Sequence, residues 1–162
     1  MSDDAIESFN VKGLEQLIKA LKVKPPVARV GILGDGLRQT TEGGKSQPTN
    51  AEVGAAHEFG SEKRNLKPRS FLRVPISDGL QKEMERRGLL DKDKMAEVIR
   101  EGSLLPWMEE VAICAEACVA DAFATQGNGK WPAWVDKNYE NNTGMILVDT
   151  HQLRDSITSD VK

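Results

Sequence analysis

The sequence predicts an α+β fold, a small and mostly antiparallel sheet packed against a long helix in the C-terminal half and several shorter helices. Three observations carry this. Apolar residues recur at helical spacing in several segments, the longest running from Ser103 to about Thr125. Short β-rich runs bounded by turn residues stand at 27–33 and 157–161, with a third at Met145–Asp149. The chain has 162 residues, of which 39% are hydrophobic and 5% aromatic, enough for one domain with a modest core. A single domain over residues 1–162 is therefore expected, with a flexible polar N-terminus (1–12).

The first helix is expected where Leu14, Leu17, Ile18 and Leu21 form one apolar stripe. Pro25 and Pro26 stop it, because proline cannot continue the hydrogen-bond ladder. Val27 to Leu33 then reads as a strand closed by Gly34-Asp35-Gly36. Residues 35–49 hold almost no apolar side chain and read as a mobile loop. Gly43-Gly44-Lys45-Ser46 in that loop is no phosphate-binding motif, since Gln39 stands where the first glycine is required and Pro48 follows at once.

Asn50 is placed to cap a helix from Ala51 to Phe59, and Gly60 to end it. The 61–70 segment follows as a second mobile loop, with Lys63, Arg64, Lys67 and Arg69 in it and Arg73 beyond. It is either a solvated connection or an edge that meets a partner subunit or passing DNA. Phe71, Leu72, Val74 and Ile76 read as a strand-like hydrophobic stretch limited by Pro68 and Pro75, after which Ser77 caps a helix to about Arg87. Gly88 breaks the chain, and Asp91 starts a further helix that Gly102 ends.

The 103–125 helix follows, with Pro106 tolerable in its first turn; as the most apolar element it is the expected spine of the core. Beyond a glycine-rich break, Trp131 and Trp134 either lid the core or anchor an interface. The chain closes with a strand over 145–149, a corner at Asp149-Thr150, and a returning strand from Ile157 to Val161.

Chemistry is sparse in this pattern. Thr150 and Ser156 have no base placed beside them by sequence. Cys114 and Cys118, four apart in an apolar helix, read as small buried hydrophobes. A cysteine hydrolase drawing on His57 or His151 would need a thiol in a basic, accessible site. The same four residues have the right atom types for zinc but not the paired spacing that structural zinc sites show. No cofactor, metal or catalytic residue is assigned. A formal charge of −3 argues against a protein whose main work is gripping nucleic acid, although a local basic patch at 63–73 keeps an accessory DNA-binding module as an alternative. The absence of a long apolar run and the acidic first residues lead us to expect a soluble protein, intracellular when made and not inserted in a membrane.

Three stretches, in order, carry a resemblance. They are Asn50 to Gly60, ending in His57-Glu58-Phe59-Gly60; Pro68-Arg69-Ser70-Phe71-Leu72-Arg73; and Leu147-Val148-Asp149-Thr150 followed by Leu153, Arg154, Ser156 and Ile157. From residue 27 onward the chain resembles the tail-completion and neck proteins of tailed bacteriophages, also called virion morphogenesis proteins. The resemblance implies a tail-terminator-like fold and a structural role without enzymatic activity. It implies a homo-oligomeric, hexameric ring at the head–tail junction of the virion. Its neighbours would be connector or portal-side proteins and tail-tube or tail-terminator proteins, with genomic DNA passing through the lumen. In that family a glycine usually follows the Asp-Thr pair; here the residue is His151.

Overall fold

A computed structural model describes residues 11–34, 48–132, 147 and 151–162. Among these the chain is α+β, with six α-helices and one two-stranded antiparallel sheet. Helix α1 (Val11–Val23) leads through the proline pair into strand β1 (Ala28–Gly31). Helix α2 (Asn50–Phe59) is followed by a 3-10 turn (Glu62–Arg64), α3 (Arg73–Arg86), α4 (Lys92–Glu101) and α5 (Leu105–Ala124). A short helix α6 (Gln152–Asp155) then turns the chain into β2 (Thr158–Val161), which pairs with β1 in the register Ala28↔Val161 to Gly31↔Thr158. Arg29 and Asp160 face each other across this pair as a bidentate ion pair.

Helix α5 is the spine, as its apolar run predicts. It packs against α3 and against both strands. The main core gathers Phe71, Val119, Ala122, Phe123, Trp131, Leu147 and Leu153. The Phe71 and Phe123 rings lie 5.3 Å apart, and Trp131 meets Phe123 edge-on at 5.8 Å. A second cluster joins Met84, Leu89 and Cys114 farther along α3 and α5. Burying these groups stabilises the fold by about 1.5–3 kcal/mol for each large apolar side chain.

Four expectations are corrected. The cap of α2 is Thr49, not Asn50: the Thr49 hydroxyl accepts from the Glu52 amide at 3.2 Å, and the Glu52 carboxylate accepts from the Thr49 amide at 2.8 Å. Asn50 instead is buried and donates from Nδ2 to the Gln152 carbonyl at 3.3 Å, tying α2 to α6. The stretch from Arg73 to Ile76 is the first turn of α3, not a strand, and Ser77 lies inside that helix. The returning strand β2 pairs with β1, and the expected strand over 145–149 is not borne out at the one residue of it that is described. Of that expected strand, only Leu147 is described, and it is a buried turn residue with φ +64°. The remainder of it, the 35–47 part of the first loop, Asp149, Thr150 and Trp134 lie outside the described residues.

Candidate functional site

The first two motif stretches meet at one carboxylate. Helix α3 begins with amide donors that have no partner inside the helix. Glu58, at the C-terminal end of α2, supplies acceptors for them: Oε2 accepts from the Phe71 and Leu72 amides at 2.8 and 3.0 Å, and Oε1 from the Arg73 amide at 3.1 Å. Oε1 also accepts from the Ser70 hydroxyl at 2.5 Å, whose oxygen in turn accepts from the Val74 amide at 3.0 Å. Pro75 has no N–H to satisfy, and the Ile76 amide reaches the Leu72 carbonyl at 3.2 Å. The helix start is thus fully paired. A buried negative charge at a helix N-terminus is also favoured by the helix dipole.

The turn between α2 and this cap is fixed at Gly60, whose φ of +79° and ψ of 175° belong to a region open almost only to glycine. A Cβ there would lie 2.9 Å from the Leu66 carbonyl oxygen and 3.1 Å from Pro68. Ser61 and Leu66 bridge across the 3-10 turn, and the Arg69 amide donates to the His57 carbonyl at 2.6 Å. Arg69 is buried, at 2% exposure, and its Nε donates to the Pro132 carbonyl at 2.8 Å. Burial pulls its pKa below the ordinary guanidinium value. It is therefore withdrawn from the set of surface candidates. Trp131 is settled as a core lid rather than an interface anchor, since it is nearly buried and its indole N–H donates to the Ser70 carbonyl at 3.1 Å.

The outer side of the same joint is open. Lys63, Arg64 and Lys67 are exposed, as are Arg73 and Phe59. Phe59 is 69% exposed, and the Arg73 guanidinium stands 5.8 Å from its ring centroid. Between α2, α3 and the end of β1 runs an open groove of about 600 Å³, lined by Val30, Ile32, Phe59, Phe71, Leu72 and Ile76 together with the small residues Ala51, Gly54 and Ala55. Gly54 permits the close approach at its base: a Cβ there would lie 2.8 Å from Ile32 and 3.4 Å from both Leu153 and Phe71.

The third motif supports the joint from below. Leu153 is buried in the main core, and the Ser156 hydroxyl donates to the Leu153 carbonyl at 2.7 Å, closing α6. His151 precedes α6 with φ +59°, the left-handed conformation that suits glycine best. Histidine tolerates this region better than most residues that carry a Cβ.

The cysteines take no part in this joint. Cys114 is fully buried in the second cluster, and Cys118 packs against α3 at Gly79. Burial pushes both thiols up, away from the reactive thiolate. Among the described residues, no three His, Cys, Asp or Glu side chains converge to hold a metal ion. Nor is any helix there long and apolar enough to cross a membrane. No family model, curated protein or solved structure matches the chain.

Proposed function

We propose that this chain is a structural virion protein of a tailed phage, one subunit of a ring at the head–tail junction that completes or terminates the tail and lines the DNA path. The observation that supports this best is the joint itself. The residues that carry the resemblance are spent on building it: Glu58, Gly60, Ser70 and Phe71 hold α2 to α3, and Leu153 and Ser156 brace it. What the joint presents outward is an apolar groove and an exposed aromatic ring rather than a converging set of reactive groups. Exposed apolar surface of this kind suits contact between subunits.

In this reading the joint is a rigid frame, and within the 35–49 and 61–70 segments the parts not tied into it, the exposed side chains of 62–67 among them, adapt to neighbouring rings of connector or tail proteins. Lys63, Arg64 and Lys67 would face either a partner or the DNA, without sequence-specific contact. Light scattering and native mass spectrometry, with and without isolated tails or capsids, test the proposal. A discrete ring, alone or formed on addition of a partner, is the expected result. A monomer indifferent to both would sink it.

A further inference from the structure

We propose that the groove between α2 and α3 is filled by residues 3–9 of a neighbouring copy of this chain, so that subunits join head to tail; this rests on the assembly reading above. Residues 1–10 lie outside the described residues. In sequence, residues 3–9 combine three acids, Asp3, Asp4 and Glu7, with two large apolar residues, Ile6 and Phe9, and no basic side chain. The groove has the complementary make-up. Its floor is apolar, Arg73 stands exposed at its edge, and on the segment that leaves its Phe59 end the exposed Lys63, Arg64 and Lys67 outnumber the one exposed acid, Glu62. An acidic segment with two apolar anchors matches an apolar slot with a cationic rim.

Geometry favours another copy over the same chain. Helix α1 joins β1, whose Val30 lines the groove, through its C-terminal end. Its first residue, Val11, lies one helix length away, about 20 Å at 1.5 Å per residue. There Gly13 and Gln16 pack against Gly102 at the end of α4. Only Asn10 separates Phe9 from Val11, a reach of about 7 Å, so seating Phe9 beside β1 of its own chain would mean doubling back along most of that helix length. A segment on one surface seated in a groove on another is a heterologous contact, which closes into a ring where the rotation between copies closes and runs on as a filament where it does not.

The test uses a fluorescent peptide of residues 1–10 and the protein lacking them. Saturable binding with a Kd below about 1 mM is expected. It should weaken about tenfold with Phe59→Ser or with Arg73→Glu, and also on raising salt from about 0.05 to about 0.5 M. Phe59→Ser removes an exposed ring and should fold; Arg73→Glu also loses the 3.9 Å contact of the guanidinium with the Glu58 carboxylate, so its denaturation midpoint is measured before its binding is read. No saturation, or binding indifferent to both substitutions, would overturn the inference, as it would if residues 133–146 fill the groove. A photo-crosslinker at Phe9 in a mixture of mass-labelled and unlabelled full chains should join α2 or α3 of a different copy; linkage only within one copy would also overturn it. Loss of the ring on deleting residues 1–10 is expected. A ring that survives the deletion refutes this contact and leaves the assembly reading intact, whereas a full chain that forms no ring with tails or capsids removes both.

Discussion

Glu58 and Phe59 are neighbours in sequence and have exchanged the places that their chemistry would suggest. The carboxylate is 5% exposed and the aromatic ring 69% exposed. The same division runs through the basic segment, where Arg69 is buried and Lys63, Arg64 and Lys67 are not. An inner face of the joint is thus made of polar groups that are paired, and an outer face of an apolar ring set among charges. Burying a carboxylate is costly unless hydrogen bonds replace its hydration, and here four donors do so. Exposing a phenyl ring brings no such compensation in the isolated subunit. The inner face is explained by folding, and the outer face is what folding leaves unexplained.

The largest expected effect comes from breaking the inner face. Glu58→Ala leaves the amides of Phe71, Leu72 and Arg73 without their acceptor, and should cost about 3 kcal/mol or more in chemical denaturation. Glu58→Gln keeps one acceptor oxygen and should lose roughly half as much. If Glu58→Ala unfolds within about 0.5 kcal/mol of the parent, the carboxylate is not the cap that its geometry describes.

How much of this was legible in the sequence depends on the range of the forces involved. Helices α1, α4 and α5 follow from apolar spacing and from local stop signals such as Pro25 and Gly102, and they stand where those signals place them. The start of α3 does not, because Phe71, Leu72, Val74 and Ile76 have strand-like character and the group that caps the helix is Glu58, a dozen or more residues earlier. A cap supplied from another element leaves no local signature. Pro75 was the one available hint, as a residue tolerated in a helix's first turn. The burial of Arg69 was equally hidden, since its partner carbonyl belongs to Pro132. Thr49 is different: Thr-x-x-Glu before α2 is a local capping box, and Asn50 next to it is an equally good capping residue type that competes for the same reading.

A smaller effect is expected at His151, on the brace beneath the joint. Its φ of +59° carries a conformational cost of about 1–2 kcal/mol for a residue with a Cβ. His151→Gly removes that cost but also loosens the unfolded chain, so a net gain of about 0.5 kcal/mol is expected, read as a higher midpoint of thermal unfolding. A loss of stability would mean that the imidazole makes a contact worth more than the strain.

Away from the joint, stability should depend on acid through Glu83. Hydrogen bonds from Arg86 and then Arg87 lower its pKa to about 2. Because the folded pKa lies below the unfolded one, the pair stabilises the fold above the ordinary carboxylate range, and this is lost as pH falls toward about 2. Thermal midpoints of the parent and of Glu83→Gln should differ most near neutral pH and converge at the acid end. The difference should shrink in high salt, since the Arg86 and Arg87 side chains that bind Glu83 are exposed.

The smallest effect on stability, and the most informative contrast with Glu58, is expected at Phe59. Replacing it with serine removes an exposed ring and its contact with the Arg73 guanidinium, worth about 0.5 kcal/mol at a solvated site. The Glu58 cap is untouched, so the denaturation midpoint should barely move. If the outer face is built for a partner, the same substitution should nonetheless abolish or sharply weaken ring formation, because an aromatic side chain at a subunit contact can carry a large share of its free energy. Parent-like stability combined with lost assembly would separate the two faces of the joint by function, as burial separates them by structure. Parent-like stability with parent-like assembly would instead make Phe59 an idle surface ring and move the search for the subunit contact to Lys63, Arg64 and Lys67.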